Sequence, residues 1–136
     1  MKHLTILTAM LFSINCHAGE LKLELHGKKL AGIPLMIKVY NSETQFPKGK
    51  ENEAIRIVAA SDSTILSISS LAPGKYAIAA FADSNRNGRL DRSFIGKPVE
   101  PYGFSNDARS LISTPNFASA AFELGQTTAR LSIHLY

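Results

Sequence analysis

Cysteine is nearly absent. The chain has one, Cys16, inside its N-terminal apolar stretch, so the remainder has no disulfide and no thiol chemistry. Histidine is scarce too. His3 and His17 belong to that stretch, which leaves His26 and His134, each on the polar face of its own segment and without the spacing of a zinc pair. No serine stands in a nucleophile-elbow context. No apolar run reaches the roughly 20 residues of a membrane-spanning helix, and there is no internal repeat, low-complexity tract or second domain. A strong charge imbalance is also missing. Without Lys2, 14 of the 15 basic residues face 11 acidic ones. The lysines of "HGKKLAG" and "FPKGKEN" sit in turns and form no stripe, which argues against nucleic acid as a partner.

What is present begins with a leader. Residues 1–18 open with Lys2 and His3, continue through "LTILTAMLFSI" and end in "CHA", with small residues where signal peptidase requires them. The expectation is a signal peptide cleaved after Ala18 and a periplasmic or secreted domain over residues 19–136. Asn15, where a lipoprotein signal has a small residue, argues against a lipid anchor on Cys16.

The rest alternates with the period of strands. In "LKLELH", Leu21, Leu23 and Leu25 share one face; in "PLMIKVY", Leu35, Ile37 and Val39 do. "AIRIVAA", "TILSISSL" and "ARLSIHLY" repeat the pattern. "LAPGKYAIAAFAD" is apolar on both faces and is expected at a sheet centre behind a Pro-Gly turn. The fold class expected is all-β: a single antiparallel β-sandwich of about seven strands, prealbumin- or immunoglobulin-like, with one long ordered loop and a short helix. The loop runs from Ser93 to Asn116, where no period holds. Phe94, Ile95, Tyr102 and Phe104 predict that it is packed, and Thr114 and Pro115 are suited to start the helix.

"DSNRNGRLD" follows the central strand. Asp83, Asn85, Asn87, Gly88, Arg89 through its carbonyl, and Asp91 stand where a calcium loop of the EF-hand type has positions one, three, five, six, seven and nine. The bidentate acid at position twelve is replaced by Phe94, and Arg86, Arg89 and Arg92 flank the loop. The competing reading is a type I′ hairpin turn on Asn87-Gly88.

From Leu71 to Leu124 the chain closely resembles the bacterial family called domain of unknown function 2141, on "LAPGKYAIAAFADSNRNGRLD", "GKPVEPYGFSN" and "PNFASAAFEL". The resemblance extends over nearly all of residues 19–136 and implies a small exported prealbumin-like sandwich. Its pattern falls on Pro73, Gly74, Tyr76, the loop residues just named, and Gly96, Pro98, Glu100, Tyr102, Gly103, Phe104, Ser105 and Asn106. This sequence departs from it at Ala82 and Ser84, where the pattern has His and Glu. The acidic stretch also resembles "DxNxDG" calcium loops on prealbumin-like repeats of bacterial surface proteins. That likeness implies a weak calcium site, of about 0.1–1 mM, completed by Glu100 or Asp107 from the next loop.

The functional expectation is a monomeric binding module that presents Tyr102, Phe104, Ser105 and Asn106 to a protein or small-molecule ligand. The alternative for "YGFSN" is a plug over a sheet edge. A self-assembling envelope protein is a second reading and a hydrolase centred on Glu100 a third. The prealbumin-like hydroxyisourate hydrolases end in Tyr-Arg-Gly-Ser, whereas this chain ends in "SIHLY".

Overall fold

A computed structural model describes residues 19–110 and 114–136; the expected leader, with Cys16 and Ala18, lies outside the described residues. Among the described residues, eight strands form two packed sheets: β1 (Leu21–His26), β2 (Pro34–Tyr40), β3 (Glu53–Val58), β4 (Ser63–Ile68), β5 (Gly74–Ala82), β6 (Tyr102–Phe104), β7 (Phe122–Leu124) and β8 (Ala129–His134). One sheet has the order β4-β1-β8, the other β3-β2-β5-β6, with β7 pairing the first residues of β5. Among the described residues no helix is long and apolar enough to cross a membrane.

The alternation read in the sequence becomes the core. Leu21, Leu23, Leu25, Leu35, Ile37 and Val39 are fully buried between the sheets. Burying each such side chain contributes about 2 kcal/mol. β5 is buried on both faces, as expected of the central strand. Tyr76, Ile78, Ala80 and Ala82 join the main core. On the opposite face, the small Ala77 and Ala79 leave room for a second cluster of Tyr40, Phe46, Phe104, Ala108, Phe117 and Ala120. Phe46 is its hub, standing edge-on to Tyr40, Phe104 and Phe117 with ring centroids 5.5, 5.8 and 6.0 Å away.

Three expectations are corrected. The sandwich is not wholly antiparallel, because β1 and β8 run parallel. They come from distant parts of the chain, so no hairpin fixes their direction, and a period of two carries no sign. Second, residues 93–116 are not one long loop. They contain β6 and a 3₁₀ turn over Ser105–Asp107, while Phe94 and Ile95 are exposed and not packed. Third, the short helix α1 (Phe117–Ala120) is capped by Asn116, which accepts the Ser119 N–H at 2.9 Å, and not by Thr114.

Candidate functional site

Asp83 follows directly on β5, where the residue is 1% exposed and its N–H is bonded to Pro34 O. The chain then winds around this carboxylate. Oδ1 accepts the N–H of Asn87 at 3.1 Å and Oδ2 that of Gly88 at 2.8 Å. Positive φ falls on Arg86 (61°) and Gly88 (77°), not on Asn87, so this is no type I′ Asn-Gly hairpin, which needs both central residues in that region. A Cβ on Gly88 would meet open space, so conformation alone demands glycine there.

The side chains of Asn85, Asn87 and Asp91 meet at one point. Asn87 Nδ2 donates to both Asp91 oxygens at 2.8 and 2.9 Å, and Asn85 Nδ2 donates to Oδ2. The two carboxamide oxygens accept the N–H groups of Asn87 and Arg89. Among the described residues no three His, Cys, Asp or Glu side chains gather as a metal site requires. A cation here would depend on the Asn85 and Asn87 oxygens, with Asp83, Asp91 and the Arg89 carbonyl. Both carboxamides would have to rotate half a turn, which takes their oxygens away from the Asn87 and Arg89 N–H groups and requires those two backbone donors to find other acceptors.

Glu100 does fold back onto this loop, but as a clamp. It is 6% exposed, and its two oxygens accept the N–H groups of Ser84 at 2.9 Å and Asp91 at 3.0 Å. It therefore ties the loop's two ends together instead of facing its centre. Asp107 does not join; its Oδ1 accepts the N–H of His134 at 2.8 Å, at the other side of β6. No ion pair among the described residues reaches Asp83, Asp91 or Glu100, so three carboxylates are held by uncharged donors alone.

The expected display loop is mostly built into the structure. Phe104 is 8% exposed in the second cluster. Ser105 is fully buried, where its Oγ accepts from Ile78 N at 2.9 Å and donates to Ala120 O at 2.5 Å. Asn106, at φ 59°, donates to Ala121 O at 2.8 Å. Gly103, Phe104 and Ser105 are thus a plug over a sheet edge, and leaving the buried Ser105 hydroxyl unbonded would cost about 1–3 kcal/mol, whereas Asn106 stays exposed. Tyr102 is half-buried, and its backbone pairs with Tyr136.

Tyr102 and Phe104 also floor a cleft that the sequence did not reveal. It encloses about 500 Å³ and adjoins a second hollow of about 410 Å³, and Lys48, Leu90 and Arg92 line both. Lys97 and Arg109 add cations to the first and Lys38 and Arg89 to the second, and among the described residues Asp107 is the only Asp or Glu lining either. Arg109 lies 3.3 Å above the Tyr136 ring, which holds the guanidinium over an aromatic face. These cations come from separate segments, and Lys48 belongs to a turn whose lysines read as merely solvated.

The two histidines are not isolated either. The parallel register sets His26 opposite His134, and their rings stack with centroids 5.6 Å apart. Glu24 lies 3.4 Å from His26 and accepts the Ser63 hydroxyl at 2.8 Å. The carboxylate stands between serine and imidazole, so the imidazole is not placed to take the serine proton as a nucleophile's base must. A pair of spaced histidines on unrelated strands carries no sequence signal for this contact.

No curated protein and no solved structure matches the chain. A family pattern does, over residues 26–132, which include the loop, the clamp, β6 and most of the cleft lining. The chain belongs to the bacterial family DUF2141, described as an uncharacterized protein conserved in bacteria.

Proposed function

We propose that this chain is a small exported binding module, without catalysis of its own, that takes an anionic small molecule in the cleft beside β6. The observation that carries this reading is the cleft's lining: among the described residues, Lys48, Arg92, Lys97 and Arg109 stand around an aromatic floor with a single Asp or Glu, Asp107, already bonded to a backbone N–H. A hollow of about 500 Å³ is within the range that holds small ligands. Low-dielectric walls strengthen the attraction of clustered cations for an anion. The clamp by Glu100 fixes the Asp83–Asp91 loop, which contributes Arg89 and Leu90 to the walls. Calorimetric titration with a sugar phosphate, a glucuronate oligomer and a dicarboxylate, each beside a neutral sugar, tests it. Binding of an anion that weakens with salt supports the reading, and heats no larger for anions than for the neutral sugar defeat it.

Calcium at the loop is a second reading, favoured by one observation. Asn85, Asn87 and Asp91 already converge inside a loop wound around Asp83. With both carboxamides turned, their oxygens would face Asp91, an arrangement that calls for a cation between them. In this reading the ion stiffens the cleft wall and performs no chemistry.

A further inference from the structure

Beyond the cleft's rim the chain makes a short hairpin. Arg92 bridges Pro98, Ser93 N–H donates to Lys97 O at 2.8 Å, and Gly96 N–H returns to Ser93 O at 2.9 Å. Arg92 also donates from Nη1 to Gly96 O at 3.0 Å, so the tip is tied by its own bonds. The Gly96-to-Ser93 bond makes Phe94 and Ile95 the two corner residues of a β-turn, with Gly96 at φ 85° behind them. Turn corners favour Gly, Pro, Asn, Asp and Ser. Here they carry a phenylalanine that is 102% exposed and an isoleucine that is 63% exposed, with Val99 another 63% exposed on the same hairpin. The fold's stability calls little for them, since Phe94 buries nothing and Ile95 and Val99 leave most of their surface in water. Arg92 and Lys97 lie on this hairpin, and Arg89 and Lys48 are beside it in the cleft walls.

We propose that this face rests on an anionic lipid surface, with Phe94 and Ile95 entering the interfacial layer and the surrounding cations meeting lipid headgroups. A two-residue convex tip needs a preformed socket in a protein partner, whereas a bilayer interface accepts it without one. Apolar tips gain by burial at the acyl boundary, and basic residues near an anionic leaflet add to the attraction. The charge complementarity selects anionic over zwitterionic lipid. This inference rests on the anion-binding reading only for the cleft's contribution; the tip is independent of it.

The test uses the chain from Gly19 onward, which contains every described element, and vesicles of phosphatidylcholine with or without about one-third phosphatidylglycerol. The chain has no tryptophan, so Phe94→Trp places a single reporter at the tip. Its emission should shift to the blue, and the chain should co-sediment, with the phosphatidylglycerol vesicles and not with phosphatidylcholine alone. Phe94→Ser with Ile95→Ser should lower partitioning by about tenfold or more while leaving soluble-anion titrations unchanged. Lys97→Glu should weaken it by about fivefold at low salt. Equal partitioning of the double-serine variant, or no partitioning of the unaltered chain, overturns the proposal. So does a blue shift that grows with protein concentration in the absence of vesicles, which would place a second copy on the tip. If vesicles fail while soluble anions bind, only this inference falls; if vesicles bind while soluble anions fail, the cleft reading falls and the tip stands.

Discussion

Glu100 accepts the backbone N–H of Asp91 at 3.0 Å, and through its other oxygen it also holds Ser84. One buried carboxylate thereby closes the loop from Ser84 to Asp91, which begins just after the central strand. Glu100→Gln keeps the shape but leaves an NH₂ group facing one of these N–H donors. The expected loss is about 2 kcal/mol, seen as a lower melting temperature, with faster hydrogen exchange at Ser84 and Asp91 than elsewhere in the sheet. Unchanged exchange at both amides would refute the clamp.

Calcium gives the loop a second test. At about 1 mM calcium and a dissociation constant of about 0.1 mM, mass action adds roughly 1.4 kcal/mol to folding, a rise of a few degrees in melting temperature. Asp91→Ala should abolish this response, because both carboxamides converge on that side chain. No heat and no thermal shift up to about 10 mM calcium would leave the hydrogen-bonded loop as the complete structure.

β6 approaches β8 closely at Gly103, where a Cβ would lie 2.1 Å from His134 O and 2.9 Å from an Ile133 methyl carbon. Backbone cannot yield as a flexible side chain does. Gly103→Ala should therefore cost about 2–3 kcal/mol, measured by denaturant unfolding, and should push β6 and the cleft floor outward. A loss within about 0.5 kcal/mol would show that β6 is loosely held.

The Tyr40 hydroxyl donates to Pro47 O at 2.9 Å, and burial, with a smaller effect from Glu51, pushes its pKa from 10.0 to about 12. The folded chain favours the neutral phenol. Its contribution is complete below pH 10 and is lost as pH rises towards about 12, because the unfolded chain releases the proton first. Tyr40→Phe should be about 1 kcal/mol less stable near neutrality, and the gap should narrow across that window. A gap independent of pH would contradict the assignment.

Much of the fold was legible because the strands obey local rules. Leu21, Leu23 and Leu25 alternate with polar residues, and "YAIAAFA" is apolar at every position, so one-sided and two-sided burial could each be read directly. Parallel pairing of β1 with β8 could not, since direction is decided by contacts between residues about a hundred positions apart in sequence. The calcium-loop spacing was visible, but the part played by Glu100 depended on which way a buried carboxylate points. Tyr102 and Phe104 were identified as site residues, yet the cations over them come from loops that no short motif connects. Aromatic content in a loop predicts packing, but the backbone-bonded turn at Ser93–Gly96 holds the Phe94 ring in water.

The most direct measurement is calorimetric titration of the unaltered chain and of a Lys48→Glu, Arg92→Glu variant with the same anion at low and high salt. These two side chains line both hollows, while each comes from a different loop. Reversing both should reduce affinity at least about tenfold, leave the fold intact by circular dichroism and remove the salt dependence. Equal affinity in the two proteins, at both salt concentrations, would refute the cleft as an anion-binding site.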